Sequence, residues 1–259
     1  MNARKHGSNG ALIRLAGVGR RWGRRTVLDD VDLQVAAGER LAIIGPSGGG
    51  KSTLLGLVAG SLAPSNGKVI VDGQAMADFS PRRMHQHRAK CGIVPQGSQL
   101  VPQLTAHRNV LGGLLPHWPW HRIALSALWP VDRERVRSIL EGVRLADRQW
   151  DLVSNLSGGE QQRIAVARGL IGHPEIVLAD EPTASLDPKN AQLVADVLLD
   201  QSHSRGATLL FCTHWVSLVR EAVDRLLGVR EGRIVIDAPP DDVSDADFDD
   251  LYAGSDERR

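Results

Sequence analysis

Cysteine is nearly absent: Cys91 and Cys212 stand far apart, in the apolar segments CGIV and LLFC. A disulfide scaffold or a thiolate zinc cluster needs more, and a small buried side chain is what such segments ordinarily hold. A charge excess is missing too, since Lys+Arg 31 against Asp+Glu 30 leaves +1, without the basic surplus of a nucleic-acid binder. No uninterrupted apolar run approaches the roughly 18 residues of a membrane-spanning helix, and the start MNARKHGSNG lacks the apolar core of a signal peptide. These absences point to a soluble, cytoplasmic chain. The 42% hydrophobic content of the 259 residues is too high for a disordered protein and suits one compact unit or two tightly joined lobes. Internal repeats and low-complexity segments are lacking as well.

What is present begins with an asymmetry that the net charge hides. Arg4, Lys5, Arg14, Arg20, Arg21, Arg24 and Arg25 occur with no acid among them, whereas the end carries Asp241, Asp242, Asp245, Asp247, Asp249 and Asp250. Either run can be simply a solvated face.

Along the chain, ALIRLAGV and TVLDDVDLQV carry partial period-2 alternation and predict an antiparallel sheet. RLAIIG has the length and β-branched content of a buried strand, and it runs into a glycine-rich loop followed by a helix through KSTLLGLVAGSL. KVIVDG and CGIVPQ read as further strands. Between Gln96 and Asn155 prolines, Trp118, Trp120, Trp129 and Trp150, and the helical spacing of DRERVRSILEGVRLA indicate a mostly helical insertion. Helix and strand then alternate: a helix through IAVARGLI, the strand EIVLAD, a helix after Pro188, the strand TLLFCT, a helix through Arg220, a strand pair ending in GRIVIDAPP and a short acidic helix. Such alternation implies an α/β fold with a mainly parallel sheet covered by helices on both faces.

Three motifs carry chemistry. Gly45-Pro46-Ser47-Gly48-Gly49-Gly50-Lys51-Ser52 lies between a buried strand and a helix, where a phosphate-binding loop must lie. Glycines let the backbone wrap an anion and aim successive N–H groups at it, and the helix N-terminus adds a favourable dipole. Lys51 would bridge the β- and γ-phosphates and Ser52 would hold Mg²⁺. The strand EIVLAD delivers Asp180 and Glu181 at its C-terminal end, the edge where parallel sheets bind ligands. Asp180 suits a Mg²⁺ role and Glu181 the polarisation of an attacking water. Third, Ser157-Gly158-Gly159-Glu160 makes a sound capping box; yet a cap does not need two glycines in a first turn, where each costs about 1 kcal/mol against Ala, and backbone approach to an anion explains them better. His85 with His87, and His117 with His121, have no supporting ligand cluster, and Pro119 interrupts the second pair.

With these motifs the chain resembles the ATPase subunits of ABC transporters over nearly its whole length. The resemblance makes residues 45–52 the Walker A loop, LSGGE a variant of the LSGGQ signature and Asp180-Glu181 Walker B. It further implies Gln96 as the Q-loop glutamine that touches Mg²⁺, Ser185-Leu186-Asp187 as the D-loop, His214 as the switch histidine near the γ-phosphate and Thr53 beside the phosphates. Trp22 stands where the family places an adenine-stacking aromatic; stacking needs only a π-face, although a merely packed Trp is the alternative. The fold implied is a P-loop (RecA-like) core. Residues 1–96 and 158–240 would form the core with an antiparallel β subdomain, 97–157 a helical signature subdomain and 241–259 an acidic tail.

The substrate implied is ATP with Mg²⁺. The partners implied are a second copy, in which Ser157 and the amides of Gly158 and Gly159, with Glu160 and Asp187 beside them, meet the nucleotide held by the other head to tail, transmembrane permease subunits at the cytoplasmic face of the membrane, and indirectly a periplasmic or extracellular binding protein. Nucleic acid is not among them. IVPQGSQLVPQLTAHRNVLGGLL, DRLLGVREGRIVIDAPP and Leu251-Tyr252 look most like the phosphonate importers of this family, so phosphonate or a related oxyanion is the expected cargo. LSGGEQQR also occurs in export and lipoprotein-release relatives, which stand second; a non-transport ATPase acting on nucleic acid stands third, since the length leaves no room for a coiled coil or second ATPase module. Departures from the family pattern are Glu160 for the usual glutamine, Arg108, and FCTHW around the switch histidine.

Overall fold

A computed structural model describes residues 10–184 and 186–253; Arg4, Lys5 and the D-loop Ser185 lie outside the described residues. The elements run β1 (Ile13–Trp22), β2 (Arg25–Val35), β3 (Arg40–Ile44), α1 (Lys51–Val58), β4 (Asn66–Val71), β5 (Gln74–Ala75), α2 (Pro81–Ala89), β6 (Cys91–Val94), α3 (Ala106–Leu111), α4 (Trp120–Leu128), α5 (Arg133–Gly142), α6 (Gly158–Leu170), β7 (Ile176–Asp180), α7 (Pro188–Arg205), β8 (Thr208–Cys212), β9 (Arg225–Arg230), β10 (Arg233–Ala238) and α8 (Asp245–Tyr252).

Period-2 patterning builds the first sheet, ordered β2-β1-β4-β5 and antiparallel throughout. Ile13 and Leu15 of β1, and Val31, Leu33 and Val35 of β2, are buried while Arg14, Asp32 and Gln34 face out. The second sheet has the order β10-β9-β3-β8-β7-β6, parallel except for β10. Its central strand β3 is buried on both faces, as an unbroken apolar run requires. Leu41 and Ile43 enter the core shared with α1 and the first sheet, whereas Ala42 and Ile44 enter the core shared with α6 and α7.

This is the mainly parallel α/β arrangement that the alternation of elements implied, with the antiparallel β subdomain that the resemblance added to a P-loop core. Because β3, β6, β7 and β8 run parallel, the segments that follow them, Gly45, Gln96, Glu181 and His214, leave from one edge of the sheet. Helices α3 and α5 and the 3-10 turn after α3 pack on α6 through Val110, Leu114, Val136, Leu140 and Ile164, all buried.

Two helices differ from expectation. Helix α1 ends at Val58 because Gly60 adopts φ +70, and Ser61 and Leu62 donate back to the Gly56 carbonyl, a glycine-terminated helix end. The helix expected through Arg220 is instead a single 3-10 turn, Val216–Leu218. The chain must deliver His214 to the sheet edge and then start β9 at Arg225 beside β3. Arg40 clamps that start, its backbone N–H and guanidinium both donating to Asp224 at 2.8 to 3.1 Å, so few residues are left for a helix.

Two of the histidines weighed as metal ligands bond the backbone: His85 the Pro116 carbonyl and His87 the Val58 carbonyl. Cys212 is fully buried, and burial pushes the Cys91 thiol up to about 12, so neither is a ready nucleophile.

Candidate nucleotide site

The glycine-rich loop is shaped by its neighbours. Gly45 (φ +139) lies so close to β9 that a Cβ would sit 2.0 Å from the Val229 carbonyl oxygen, and one on Gly50 (φ +114) would sit 2.7 Å from Leu28 Cδ2. Close packing of the backbone therefore demands glycine at both positions. Gly50 caps α1 at its N-terminus, where unpaired N–H groups and the helix dipole favour an anion.

Lys51 is 4% exposed, and its ammonium donates to the carbonyls of Gly45 at 2.6 Å and Pro46 at 3.2 Å. It also lies 3.4 Å from Glu181 Oε1. A buried lysine at a phosphate loop, held by groups that a polyanion can replace, is poised for phosphate.

At the neighbouring strand end, β7 stops at Asp180 and the next residue, Glu181, takes the left-handed conformation with φ +47, a strain of about 1–3 kcal/mol for a non-glycine residue. The two carboxylates engage different partners. Asp180 Oδ1 accepts from the Ser52 hydroxyl at 3.0 Å, and burial raises its pKa despite that bond. Glu181 Oε1 is bonded to His214 Nε2 at 2.7 Å, and its Oε2 accepts from Gln96 Nε2 at 3.2 Å. The histidine bond, followed by Lys51, holds the Glu181 carboxyl below its usual range against the opposing effect of burial. Four strand ends thus converge on one carboxylate that stays ionised beside a lysine.

These groups border a cleft of about 370 Å³ lined by Trp22, Arg25, Ser47, Gly48, Gly50, Lys51, Ser52, Thr53, Gln96 and Glu181 among others. Trp22 is 50% exposed with the Arg20 guanidinium 4.2 Å from its ring centroid, so an aromatic face and cationic groups share the cleft mouth. The residues fit Mg²⁺: a desolvated carboxylate next to a hydroxyl suits a hard cation that takes few protein oxygens. Among the described residues no group of three or more His, Cys, Asp or Glu forms an all-protein metal cage.

Ser157, Gly158, Gly159, Glu160 and Asp187 do not line this cleft. Ser157 caps α6 in a reciprocal box: Glu160 N–H donates to Ser157 Oγ at 3.3 Å, and Ser157 N–H donates to Glu160 Oε2 at 2.8 Å. The Ser157 backbone and hydroxyl bonds lower the Glu160 pKa. A Cβ on Gly158 would meet nothing within 4 Å, while one on Gly159 would lie 3.3 Å from Asn190 Nδ2. Asp187 caps α7, accepting from Asn190, so Asn190 ties the D-loop cap to the signature helix.

Two further residues escape motif reasoning. Gln161 bonds Ser98, just past Gln96, and donates to the carbonyls of Val153 and Leu156, joining the Q-loop to the segment before Ser157. Tyr252 of α8 accepts from the Gly45 N–H at 3.2 Å, which places part of the acidic end against the phosphate loop rather than merely in solvent. A polar residue in a motif's shadow and a lone tyrosine in an acidic tail carry no spacing signal.

Residues 28–184 match the family described as ABC transporter. The phosphonates import ATP-binding protein PhnC of Anaeromyxobacter dehalogenans is 42% identical over 94% of this chain, and the chain spans 48% of that relative. PhnC of Pseudomonas putida is 38% identical over 95% of this chain and 91% of its own length. A solved dimeric ATP-binding cassette in a post-hydrolysis state, bound to ADP and Pi, is 30% identical, covers 88% of this chain and 98% of its own, and superposes with a TM-score of 0.74.

Proposed function

The chain belongs to the ABC transporter family, and from that membership and the cleft geometry we propose that it is the ATP-hydrolysing motor subunit of a membrane importer whose cargo is phosphonate or a related oxyanion. The observation that carries the ATPase part is Glu181: one ionised carboxylate bonded to His214 and Gln96 and close to Lys51 at the phosphate loop. The cargo part rests on likeness to proteins named for phosphonate import.

In the proposed reaction ATP enters with its phosphates along the loop and its adenine toward Trp22. Phosphate oxygens compete with the Gly45 and Pro46 carbonyls for the Lys51 ammonium, and the loop N–H groups and the α1 N-terminus neutralise the remaining charge. Ser52 and Asp180 would hold Mg²⁺, which supplies charge neutralisation on the phosphates when bound. Glu181 accepts a proton from the attacking water, and His214 and Gln96 fix the carboxylate in place. A second copy, head to tail, would bring Ser157 and the α6 N-terminus to the γ-phosphate. No described helix is long and apolar enough to cross a membrane, and the motor role calls for permease subunits with the chain bound at their cytoplasmic side.

Reconstitution with the cognate permease and binding protein tests the assignment. ATP-driven uptake of phosphonate, phosphite, phosphate or sulfate is compared: uptake led by phosphonate supports the cargo, while ATPase activity coupled to none of the four keeps the motor and removes the cargo.

A further inference from the structure

A second surface is marked by what it lacks. No Asp or Glu occurs between Asp78 and Asp132, an interval holding Arg82, Arg83, Arg88, Lys90, Arg108 and Arg122. Acids from outside the interval pair with Lys90 (Glu175) and Arg122 (Asp132), so its basic character centres on Arg82 and Arg83 of α2. Within it α2 exposes Arg82 and Arg83, and His85 of the same helix bonds the Pro116 carbonyl at 3.0 Å. The basic helix therefore adjoins the segment that leads into α4.

Helix α4 exposes apolar side chains that a helix packed on a protein in water would bury. Its Arg122, itself 46% exposed, is paired with Asp132 at 2.9 Å and lies over the Trp118 ring at 4.6 Å. Trp120 and Ile123 of this helix have relative exposures of 81% and 38%. Leu125 and the capping Trp129 are 49% and 66% exposed. A surface helix normally buries its apolar stripe; this one leaves apolar residues exposed, and the tryptophans are the residue type that settles at a membrane–water boundary.

We propose that α4, flanked by the basic α2, is a lipid-contact surface that lies in the headgroup region of an anionic bilayer. The exposed Trp120, Ile123 and Trp129 would supply the apolar insertion, and the acid-free interval the attraction to negative lipid. Charge complementarity favours lipid over a second protein: an apolar protein groove explains the tryptophans but not the exposed Arg82 and Arg83 of the adjoining helix. The proposal does not depend on ATP hydrolysis or on cargo, because binding is read on the isolated chain.

The test is flotation of the full chain with vesicles of phosphatidylglycerol and phosphatidylethanolamine in equal parts, against vesicles of phosphatidylcholine alone, with tryptophan emission followed. The proposal predicts binding to the anionic vesicles with a blue shift, weakened by high salt. Trp120→Ser with Trp129→Ser should lower the partition by about tenfold or more, and Arg82→Gln with Arg83→Gln by several-fold, with ATPase activity and melting temperature unchanged in both. Equal binding to both vesicle types, no binding, or an unaltered partition in the tryptophan variant would overturn it. Capture of detergent-solubilised permease that the tryptophan variant alone loses, with no vesicle binding, would assign the face to protein and equally overturn it.

Discussion

The phosphate loop and the signature helix both begin with glycines at a helix N-terminus, but their glycines answer to different neighbours. Gly45 and Gly50 are pressed against Val229 and Leu28 of the same chain, so the fold itself excludes a side chain there. Gly158 faces open space, its helix is already capped by Ser157 and Glu160, and nothing in its own chain requires a glycine. The first site is closed by the protein that carries it. The second has a backbone prepared for close approach by something from outside, which in the proposed assembly is the nucleotide held by a second copy.

The largest effect should come from the closed site. Glu181→Gln is expected to keep ATP binding while turnover falls by about 10²- to 10⁴-fold, as for loss of a general base; steady-state ATPase and equilibrium nucleotide binding measured together check this. Unchanged turnover would remove Glu181 from the reaction.

Next comes a pair that separates the two kinds of glycine. Gly45→Ala should lower stability by more than about 1–3 kcal/mol, given the left-handed backbone and the clash with Val229, visible as a fall in melting temperature. Gly158→Asp should fold normally, since an acid in a first helical turn is favourable, yet lose ATPase activity by about 10²-fold by setting a carboxylate against the incoming phosphate. If both variants lose stability alike, the contrast between the sites is wrong.

A third prediction concerns pH. Burial raises the Asp180 pKa, so protons and Mg²⁺ compete for that carboxylate at a higher pH than for an exposed aspartate. The Mg²⁺ dependence of nucleotide-induced thermal stabilisation should weaken as pH falls into that raised range, and the Asp180→Asn variant should lose the dependence. Glu181 behaves oppositely: its pKa is held down, so its ionisation persists above that lowered value and fails only as pH falls through it.

The smallest expected effect is at Tyr252→Phe. Loss of the single hydrogen bond from Gly45 should cost about 0.5–1.5 kcal/mol, raising the KM for ATP a few-fold with kcat nearly unchanged. An unaltered KM would leave Tyr252 as packing only.

These two sites also show what the sequence discloses. Strand β3 was legible because it is an apolar run followed at once by glycines, and Asp180-Glu181 because they end another such run. Ser157 and Glu160 were legible as a cap. The short turn at Val216–Leu218 was not, because Arg40, far away in the chain, fixes where β9 must begin. The contacts of Gln161 and Tyr252 were hidden for the same reason, since each acts through a partner brought near only by the fold. The exposure of Trp120 and Trp129 was not legible either, because the sequence says only that tryptophans cluster in the insertion.

The most direct test is sedimentation velocity of the Glu181→Gln protein with and without ATP. A monomer that becomes a dimer on adding ATP, with the change abolished by adding Gly158→Asp to the same chain, is what two sites completed across an interface predict. A protein that binds ATP yet stays monomeric, or one whose dimer survives Gly158→Asp, would contradict the account.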